Sequence, residues 1–294
     1  MVPVSGEPGF TRDDRRKEQE CSIMDERIKP MKEQLQLTVF GTRGSMAVCR
    51  NDSMLFGGNT SCYMIRAGEQ TVFLDGGSGL VFAPTEFEIP PVILLSHLHL
   101  DHILGLGVYR RLLQKGKETV IYLPPCSPEE LTAGLDGVYA PPYWPLRLTE
   151  YAGTVKLQTF PEHLQLGELS IETMHGYHPG DSLVFRIRWK KKCLVYASDC
   201  EPTEESTTEL VEFVSGADLL LFDAQYTEEE YPARIGFGHS TAEKGIEIKE
   251  LGNVKQLLLV HHDPLRNDAE LLAMERKIGR EDVRFAREGE TIYI

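Results

Sequence analysis

The sequence lacks the features that mark membrane-spanning and exported proteins. No run of eighteen apolar residues occurs in its 294 residues, so a transmembrane helix is not expected. Residues 1–35 are polar and lack the apolar core of a signal peptide, which argues against export. We predict that these residues form a flexible polar leader and that residues 36–294 form one domain.

Cysteine is scarce, with six residues in the chain and no Cys-x-x-Cys spacing among them. A chain of this length without an export signal normally keeps its thiols reduced. The cysteine content therefore predicts a cytoplasmic protein that is not built on a disulfide framework.

Positive charge is also in short supply. Lys and Arg number 31 against 45 Asp and Glu, and the net charge is −14 with neutral histidines. The one dense basic run, at 190–192, is predicted to lie in a hairpin turn. Proteins that bind long nucleic acids usually carry a basic patch, so the charge disfavours extended RNA or DNA as the substrate.

The hydrophobic pattern from residue 36 onward alternates short β-type runs with helical ones and shows no linker or short-period repeat. Two strand-rich halves, each with outer helices, predict an α/β protein folded as a single four-layer αββα sandwich. Ser240 and Glu243 have the spacing of a capping box at the start of one helix. Predicted strands are Leu37–Phe40, Cys62–Arg66, Thr71–Asp75, Val92–Ser96, Thr119–Leu123, Val155–Phe160, Leu169–Met174, Ser182–Trp189, Cys193–Ala197, Leu219–Phe222, Gln256–Val260, Val283–Ala286 and Thr291–Tyr293, and predicted helices are Leu104–Lys115, Pro128–Val138, Glu204–Val214, Thr241–Leu251 and Asp268–Ile278.

The segment His97-Leu-His-Leu-Asp-His102 follows an apolar run and is the densest group of metal-binding side chains in the sequence. Three imidazoles and one carboxylate within six residues can hold two divalent ions. On an extended segment His97 and His99 point the same way and can chelate one ion. Asp101 and His102 lie where the chain turns into a helix and can face a second ion.

Further donors stand at the ends of later predicted strands. His178 lies in Gly-Tyr-His-Pro-Gly, Asp199 ends the run Leu194–Asp199, and His261 follows Gln256–Val260. A rigid sheet would bring such strand ends to a common edge. His262 is the rival of His261, which we prefer because it is the first donor after the apolar run.

The pattern H-x-H-x-D-H, followed in order by these later donors, resembles the metallo-β-lactamase-fold hydrolases from about residue 36 to the C-terminus. The resemblance implies two divalent ions, with zinc preferred over manganese or iron, that share an attacking hydroxide. Histidine at position 99, where the diiron redox branch carries glutamate, favours hydrolysis. The implied ligands are His97, His99 and His178 for the first ion, Asp101, His102 and His261 for the second, and Asp199 as the bridge.

Three segments resemble the phosphodiesterase-type branch, which contains the tRNA 3′-end endonuclease and the cyclic-phosphate phosphodiesterases. They are Phe-Gly-Thr-Arg-Gly-Ser at 40–45, Phe-Gly-Gly-Asn-Thr-Ser-Cys at 56–62 and Gly-His-Ser-Thr at 238–241. In the endonuclease the last histidine lies beside the scissile phosphate, paired with an acid. His239 and Asp223 would be its counterparts and, with Asp101, the catalytic residues. The alternative is that His239 only caps the following helix.

Two more residues are predicted to support the site. By the same resemblance Asp75, at the end of a strand, is an acid that orients the ligand imidazoles. Asn59, in a glycine-rich turn, is predicted beside the ligands, with a purely structural turn as the alternative.

The sequence thus predicts a dinuclear metal-dependent phosphodiesterase that acts on a small or cyclic nucleotide-like diester. The endonuclease carries a long tRNA-gripping arm, whereas only a helix, a strand and a short acidic loop lie between Asp199 and His239. A lactonase or thioesterase of the same fold and a non-enzymatic metal-binding module remain as alternatives. No membrane partner is expected, and both a monomer and a homodimer are open.

Overall fold

The computed structural model describes residues 34–294, so most of the predicted leader lies outside the described residues. The strands are β1 Gln36–Gly41, β2 Cys62–Ala67, β3 Gln70–Leu74, β4 Val92–Leu94, β5 Glu118–Leu123, β6 Thr154–Thr159, β7 His163–Leu166, β8 Leu169–Gly176, β9 Ser182–Trp189, β10 Lys192–Ala197, β11 Leu219–Asp223, β12 Gln256–Val260, β13 Val283–Phe285 and β14 Thr291–Tyr293. The helices are α1 Leu100–Ile103, α2 Pro128–Asp136, α3 Glu204–Val214, α4 Ala242–Leu251 and α5 Asp268–Ile278.

Two seven-stranded sheets of mixed direction form the centre of the fold. The first has the order β14-β1-β2-β3-β4-β5-β6 and the second the order β13-β12-β11-β10-β9-β8-β7. In each sheet one half is antiparallel, and the other half, β3 to β6 or β10 to β13, is parallel. Tight turns link the antiparallel pairs β2 and β3, β7 and β8, and β9 and β10, the last of them at Lys190.

The core has the layered arrangement that the sequence predicts. Leu37, Tyr63 and Ile187 belong to an apolar cluster between the sheets. A second cluster packs α3, α4 and α5 on the outer face of the second sheet, and a third packs α1 and the segments after it on the first sheet. The four-layer αββα sandwich is therefore confirmed. Within residues 34–294 no helix is long and apolar enough to cross a membrane.

The carboxyl ends of the parallel strands meet at one edge of the sandwich. Asp75 follows β3, His97 is the third residue after β4, Asp199 follows β10, Asp223 ends β11 and His261 follows β12. Ligand sites in open α/β sheets form at this end of the strands. The topology therefore collects the predicted donor residues before any side-chain geometry is considered.

The predicted helix over 104–115 is wrong. The α-helix spans only Leu100–Ile103, and two 3₁₀ turns at Leu106–Val108 and Arg110–Leu113 replace the rest. The Gly105 amide donates to the Gly76 carbonyl at 2.8 Å, and a Cβ at Gly105 would lie 2.1 Å from the backbone oxygen of Gly77. Close contact with this neighbouring loop stops the helix.

One smaller prediction is wrong, and one strand was missed. The N-cap of α4 is Thr241, whose side chain accepts from the Lys244 amide, because the amide of the predicted cap Ser240 donates instead to Asp223. The edge strand β7 was not predicted, since its alternate residues are exposed and polar. Neither difference alters the layer order.

Ile187 tests the packing between the sheets. Its side chain is fully buried in the central cluster, so replacement by alanine leaves a cavity and should lower the free energy of unfolding by about 2–5 kcal/mol. Ile235→Ala, at a side chain that is 65% exposed, is the matched control and should change it by less than about 0.5 kcal/mol. Urea unfolding of equally metal-loaded proteins measures both, and equal losses would contradict the assigned core.

Candidate active site

The segment after β4 carries four of the predicted donor side chains: His97, His99, Asp101 and His102. His97 lies between β4 and α1, and His99, whose backbone is extended, occupies the N-cap position of α1. Asp101 and His102 are in the single turn of this helix and are buried. The extended-to-helical change therefore separates the four side chains into two pairs.

A first donor group consists of His97, His99 and His178. The ring centres of His97 and His99 are 4.5 Å apart, and each lies 4.9 Å from the ring centre of His178. The facing nitrogens His178 Nε2 and His99 Nδ1 are 3.0 Å apart. Three imidazoles from two different sheets thus present nitrogen atoms to one point, as ligands of a divalent ion do.

A second donor group consists of Asp101, His102, Asp199 and His261, all buried. His102 Nε2 is 3.3 Å from Asp101 Oδ2 and 3.1 Å from Asp199 Oδ2. His261 Nε2 is 3.2 Å from Asp101 Oδ2 and 3.2 Å from Asp199 Oδ1. Two carboxylates and two imidazoles therefore converge on a second point.

Asp199 reaches both donor groups. Its Oδ1 atom also lies 3.8 Å from His97 Nε2 and 3.9 Å from His178 Nε2. The backbone of Asp199 has a φ of 52°, a left-handed conformation that costs energy in a non-glycine residue. This carboxylate has the geometry of a bridge between the two groups.

The donor set fits divalent ions by its hydrogen-bonding pattern as well as by its distances. Buried polar atoms are almost always hydrogen-bonded, yet His97 Nε2 and His102 Nε2 have no hydrogen-bond partner. Both atoms face carboxylate oxygens of the cluster. Mixed imidazole and carboxylate donors are suited to several divalent first-row metals, so the residues do not select one metal.

His261 and His262 have separate places in the structure. The His262 ring packs edge-on against Phe56 and Phe285, and its Nε2 atom donates to the Ala286 carbonyl at 2.9 Å. Burial lowers the pKa of His262 to about 3. His261 belongs to the second donor group and His262 to the apolar packing behind it.

Burial and mutual pairing set the charges of the second donor group. Burial alone would lower the pKa of His261, but Asp199 and Asp223 raise it to about 9. Burial likewise opposes protonation of His102, whereas Asp199 and Asp101 raise its pKa well above the usual value. The neighbouring carboxylates thus favour positive charge at this point, which is also the charge that a divalent ion would supply.

Asp75 holds His102 from behind. Its Oδ2 atom accepts from His102 Nδ1 at 2.7 Å and from the Tyr196 hydroxyl at 2.7 Å, and Ser96 donates through its amide and its hydroxyl. Since Nδ1 is used in this contact, Nε2 of His102 is directed to Asp101 and Asp199. This hydrogen bond is the contact through which Asp75 would orient the His102 ring.

Asp223 and His239 form a buried pair next to both donor groups. His239 Nδ1 donates to Asp223 Oδ2 at 2.9 Å. The His239 ring stacks on His261 at 4.8 Å between centres and meets His178 edge-on at 5.1 Å. His239 is not the N-cap of α4, a role that Thr241 fills.

Asp223 has more partners than the sequence suggested. It accepts backbone amides of Asp199, Gln225 and Ser240 at 3.1 Å each, and its Oδ2 atom is 3.4 Å from His261 Nδ1. One carboxylate therefore fixes the backbone at the bridge residue as well as the ring of His239.

Glu201 is a site residue that sequence reasoning missed. Its buried carboxylate accepts from the amides of Gly236 and Gly238 at 2.8 and 2.7 Å, and the Gly238 carbonyl accepts from His178 Nδ1 at 3.0 Å. The one available signal was its place two residues after Asp199, and a solvent-exposed glutamate would look the same in sequence.

Both polar atoms of the Asn59 side chain have hydrogen-bond partners outside the two donor groups. Its amide nitrogen donates to Glu288 at 2.6 Å, and its side-chain oxygen accepts from the Ser78 hydroxyl at 3.0 Å. Neither partner belongs to a donor group. The hydrogen bonds of Asn59 hold the glycine-rich turn rather than an imidazole of the cluster.

Two facing sheets with a buried histidine–aspartate cluster at one edge define the class of metallo-β-lactamase-type sandwiches. Residues 83–262 match the protein family described as beta-lactamase superfamily domain. The chain belongs to this family.

Relatives of the chain are hydrolases. It is 27% identical over 278 residues to ribonuclease Z of Archaeoglobus fulgidus, covering 77% of the chain and 86% of that protein. The probable metallo-hydrolase YhfI of Bacillus subtilis is 26% identical over 245 residues, covering 80% and 92%. The chain is therefore a metal-dependent hydrolase.

Solved structures show the same fold. The crystal structure of YhfI superposes with a TM-score of 0.70 at 21% identity, over 89% of the chain and 100% of that protein. A diphosphatase of the PhnP family superposes with a TM-score of 0.63 at 19% identity, over 88% and 97%.

Gly238 tests the coupling between the loop before His239 and the first donor group. Its φ is 87°, and a Cβ there would lie 2.0 Å from His178 Nδ1, whereas Gly236 has a φ of 86° and open space around it. Both alanine variants should lose about 1–3 kcal/mol through backbone strain. Only Gly238→Ala should displace His178 and lower the divalent-ion content found by elemental analysis. Equal ion contents in the two variants would contradict this coupling.

Proposed function

We propose that this protein is a dinuclear metal-dependent phosphodiesterase that acts on a small or cyclic nucleotide-like diester. One observation carries the proposal: His239, held by Asp223, lies in ring contact with His178 of the first donor group and His261 of the second. A protonatable imidazole beside two divalent-ion sites suits an ester that needs its leaving oxygen protonated.

In this proposal the first donor group would hold one divalent ion, and Asp101, His102 and His261 would hold the other. Asp199, which lies within reach of both donor groups, would be their shared ligand. Two adjacent ions, when bound, lower the pKa of a shared water and neutralise charge on the phosphoryl oxygens. Asp75 keeps His102 in the orientation and tautomer that this coordination needs.

His239 supplies the proton for the leaving group. Its Nδ1 atom is occupied by Asp223 at 2.9 Å, which leaves Nε2 to carry the transferable proton. The carboxylate stabilises the imidazolium before transfer and keeps the ring from turning. As the bond from phosphorus to the leaving oxygen breaks, that proton passes from Nε2 to the oxygen, and the leaving group departs neutral.

The size of the substrate follows from charge and from the lengths of the connections. Between His178 and Asp199 the chain forms only β9, β10 and a tight turn, and between Asp199 and His239 only α3, β11 and a short 3₁₀ turn. No long arm for gripping a macromolecule is present in these stretches. The net charge of −14 would repel a nucleic-acid backbone, so a small diester is favoured.

RNA is the second candidate substrate, because a relative that matches most of the chain is named ribonuclease Z. Fold and ligand set are shared across substrates in such families, so the relative's name does not transfer by itself. Lactones and thioesters are the alternative substrates, because other enzymes with this fold hydrolyse them.

A substrate screen tests the proposal. Protein loaded with zinc or manganese should contain two ions per chain and should hydrolyse bis-p-nitrophenyl phosphate, with much slower turnover of lactones, thioesters and a structured RNA. Asp199→Ala should lose ions, whereas His239→Ala should keep them. Faster hydrolysis of a lactone or thioester than of any phosphodiester would replace this function by the alternative.

Leaving-group dependence tests the role of His239. General acid catalysis is worth about 10²–10⁴ in rate and matters most for a poor leaving group. His239→Ala should therefore slow hydrolysis of a dinucleoside monophosphate far more than that of bis-p-nitrophenyl phosphate, at unchanged ion content. His175→Ala, at an exposed histidine paired with Asp181, is the control and should leave both rates unchanged. Equal losses on the two esters would show that His239 does not act as the acid.

A further inference from the structure

Residues 227–238 form a loop beside His239, which we call the rim. The rim is fixed in position. The Glu201 carboxylate binds the amides of Gly236 and Gly238, and Gly238 in turn accepts the His178 proton. A loop anchored at its end through a buried carboxylate presents its side chains in a defined place.

Arg234 is the cation of this rim. Its guanidinium carbon lies 5.5 Å from the centre of the Tyr226 ring and 5.8 Å from that of Phe237. The Tyr226 ring is 5.7 Å from the His239 ring and meets it edge-on. Cation–π contacts with two rings hold the charge on the side of the site where His239 lies.

The acidic side chains around Arg234 are engaged elsewhere, although the rim contains three consecutive glutamates. Within residues 34–294 Arg234 forms no ion pair. The carboxylates of the segment have the following partners: Glu228 accepts from Thr241 at 2.5 Å, Glu229 pairs with Lys277 at 4.0 Å, and Glu230 pairs with Arg266 at 2.7 Å. Arg234 is exposed and contacts the Tyr226 side chain, but it has no carboxylate partner among the described residues. The remaining donors of its planar guanidinium are therefore available to an external anion.

We propose that Arg234 is a specificity-determining residue that binds a phosphate group carried by the leaving-group half of the substrate. The inference rests on the proposed function and names its substrate class, a diester with a further terminal phosphate. The leaving-group half is the one served by His239, and Tyr226 links that residue to Arg234. In a chain of net charge −14, a placed guanidinium offers a phosphate a bidentate contact.

The test compares three substrates: bis-p-nitrophenyl phosphate, a dinucleoside monophosphate, and the same dinucleotide with an added phosphate at its 5′ or its 3′ end. The metal-loaded wild type should have a KM about 10- to 100-fold lower for one of the phosphorylated forms, the range expected for a hydrogen-bonded charge pair. Arg234→Ala should abolish that difference at similar kcat and unchanged ion content.

Two further variants separate charge from geometry. Arg234→Lys keeps the charge but loses the planar fork, so it should restore only part of the preference. Arg276→Ala removes one positive charge from an exposed position on α5 and should behave as the wild type.

The outcomes distinguish the two proposals. Hydrolysis of the diesters without preference for a phosphorylated form, or a preference that survives Arg234→Ala, overturns the inference and leaves the phosphodiesterase function standing. An equal loss on all substrates in Arg234→Ala also overturns it, because Arg234 would then only support the rim. No hydrolysis of any diester by the wild type overturns both.

Discussion

Three carboxylates, Asp75, Asp199 and Asp223, are buried at the ends of β3, β10 and β11, where an unpaired charge would be very costly. Each is paired with imidazoles and with backbone or hydroxyl donors. The carboxylates orient the histidine rings, and the histidines stabilise the buried charge of the carboxylates. Removal of any one of the three would leave a buried imidazole or backbone amide without its partner.

Much of this site could be predicted because its residues follow apolar strands. A strand with a buried run has a visible end, so His97, Asp199 and His261 stand out in sequence. Contacts that depend on the docking of two sheets left no such trace. The hydrogen bond from Tyr196 to Asp75 joins strands of different sheets, and the tyrosine reads as an ordinary core residue.

The errors in secondary structure have the same origin. The residues after α1 have helical spacing, but the loop at 76–77 approaches too closely for the helix to continue. Glu201 and the displaced cap at Thr241 likewise reflect the needs of the site and not local propensity. Local sequence thus predicts the strands well, and it predicts poorly the loops whose geometry is fixed by distant partners.

Each donor group is divided between the two sheets, a feature with a consequence for folding. His97 and His99 come from the first sheet and His178 from the second, and Asp101 and His102 face Asp199 and His261 in the same way. Neither sheet carries a complete donor group alone, so a complete ion site forms only when the two sheets dock. A bound ion would then stabilise the interface between the two sheets. Its loss would weaken that interface before either sheet unfolds.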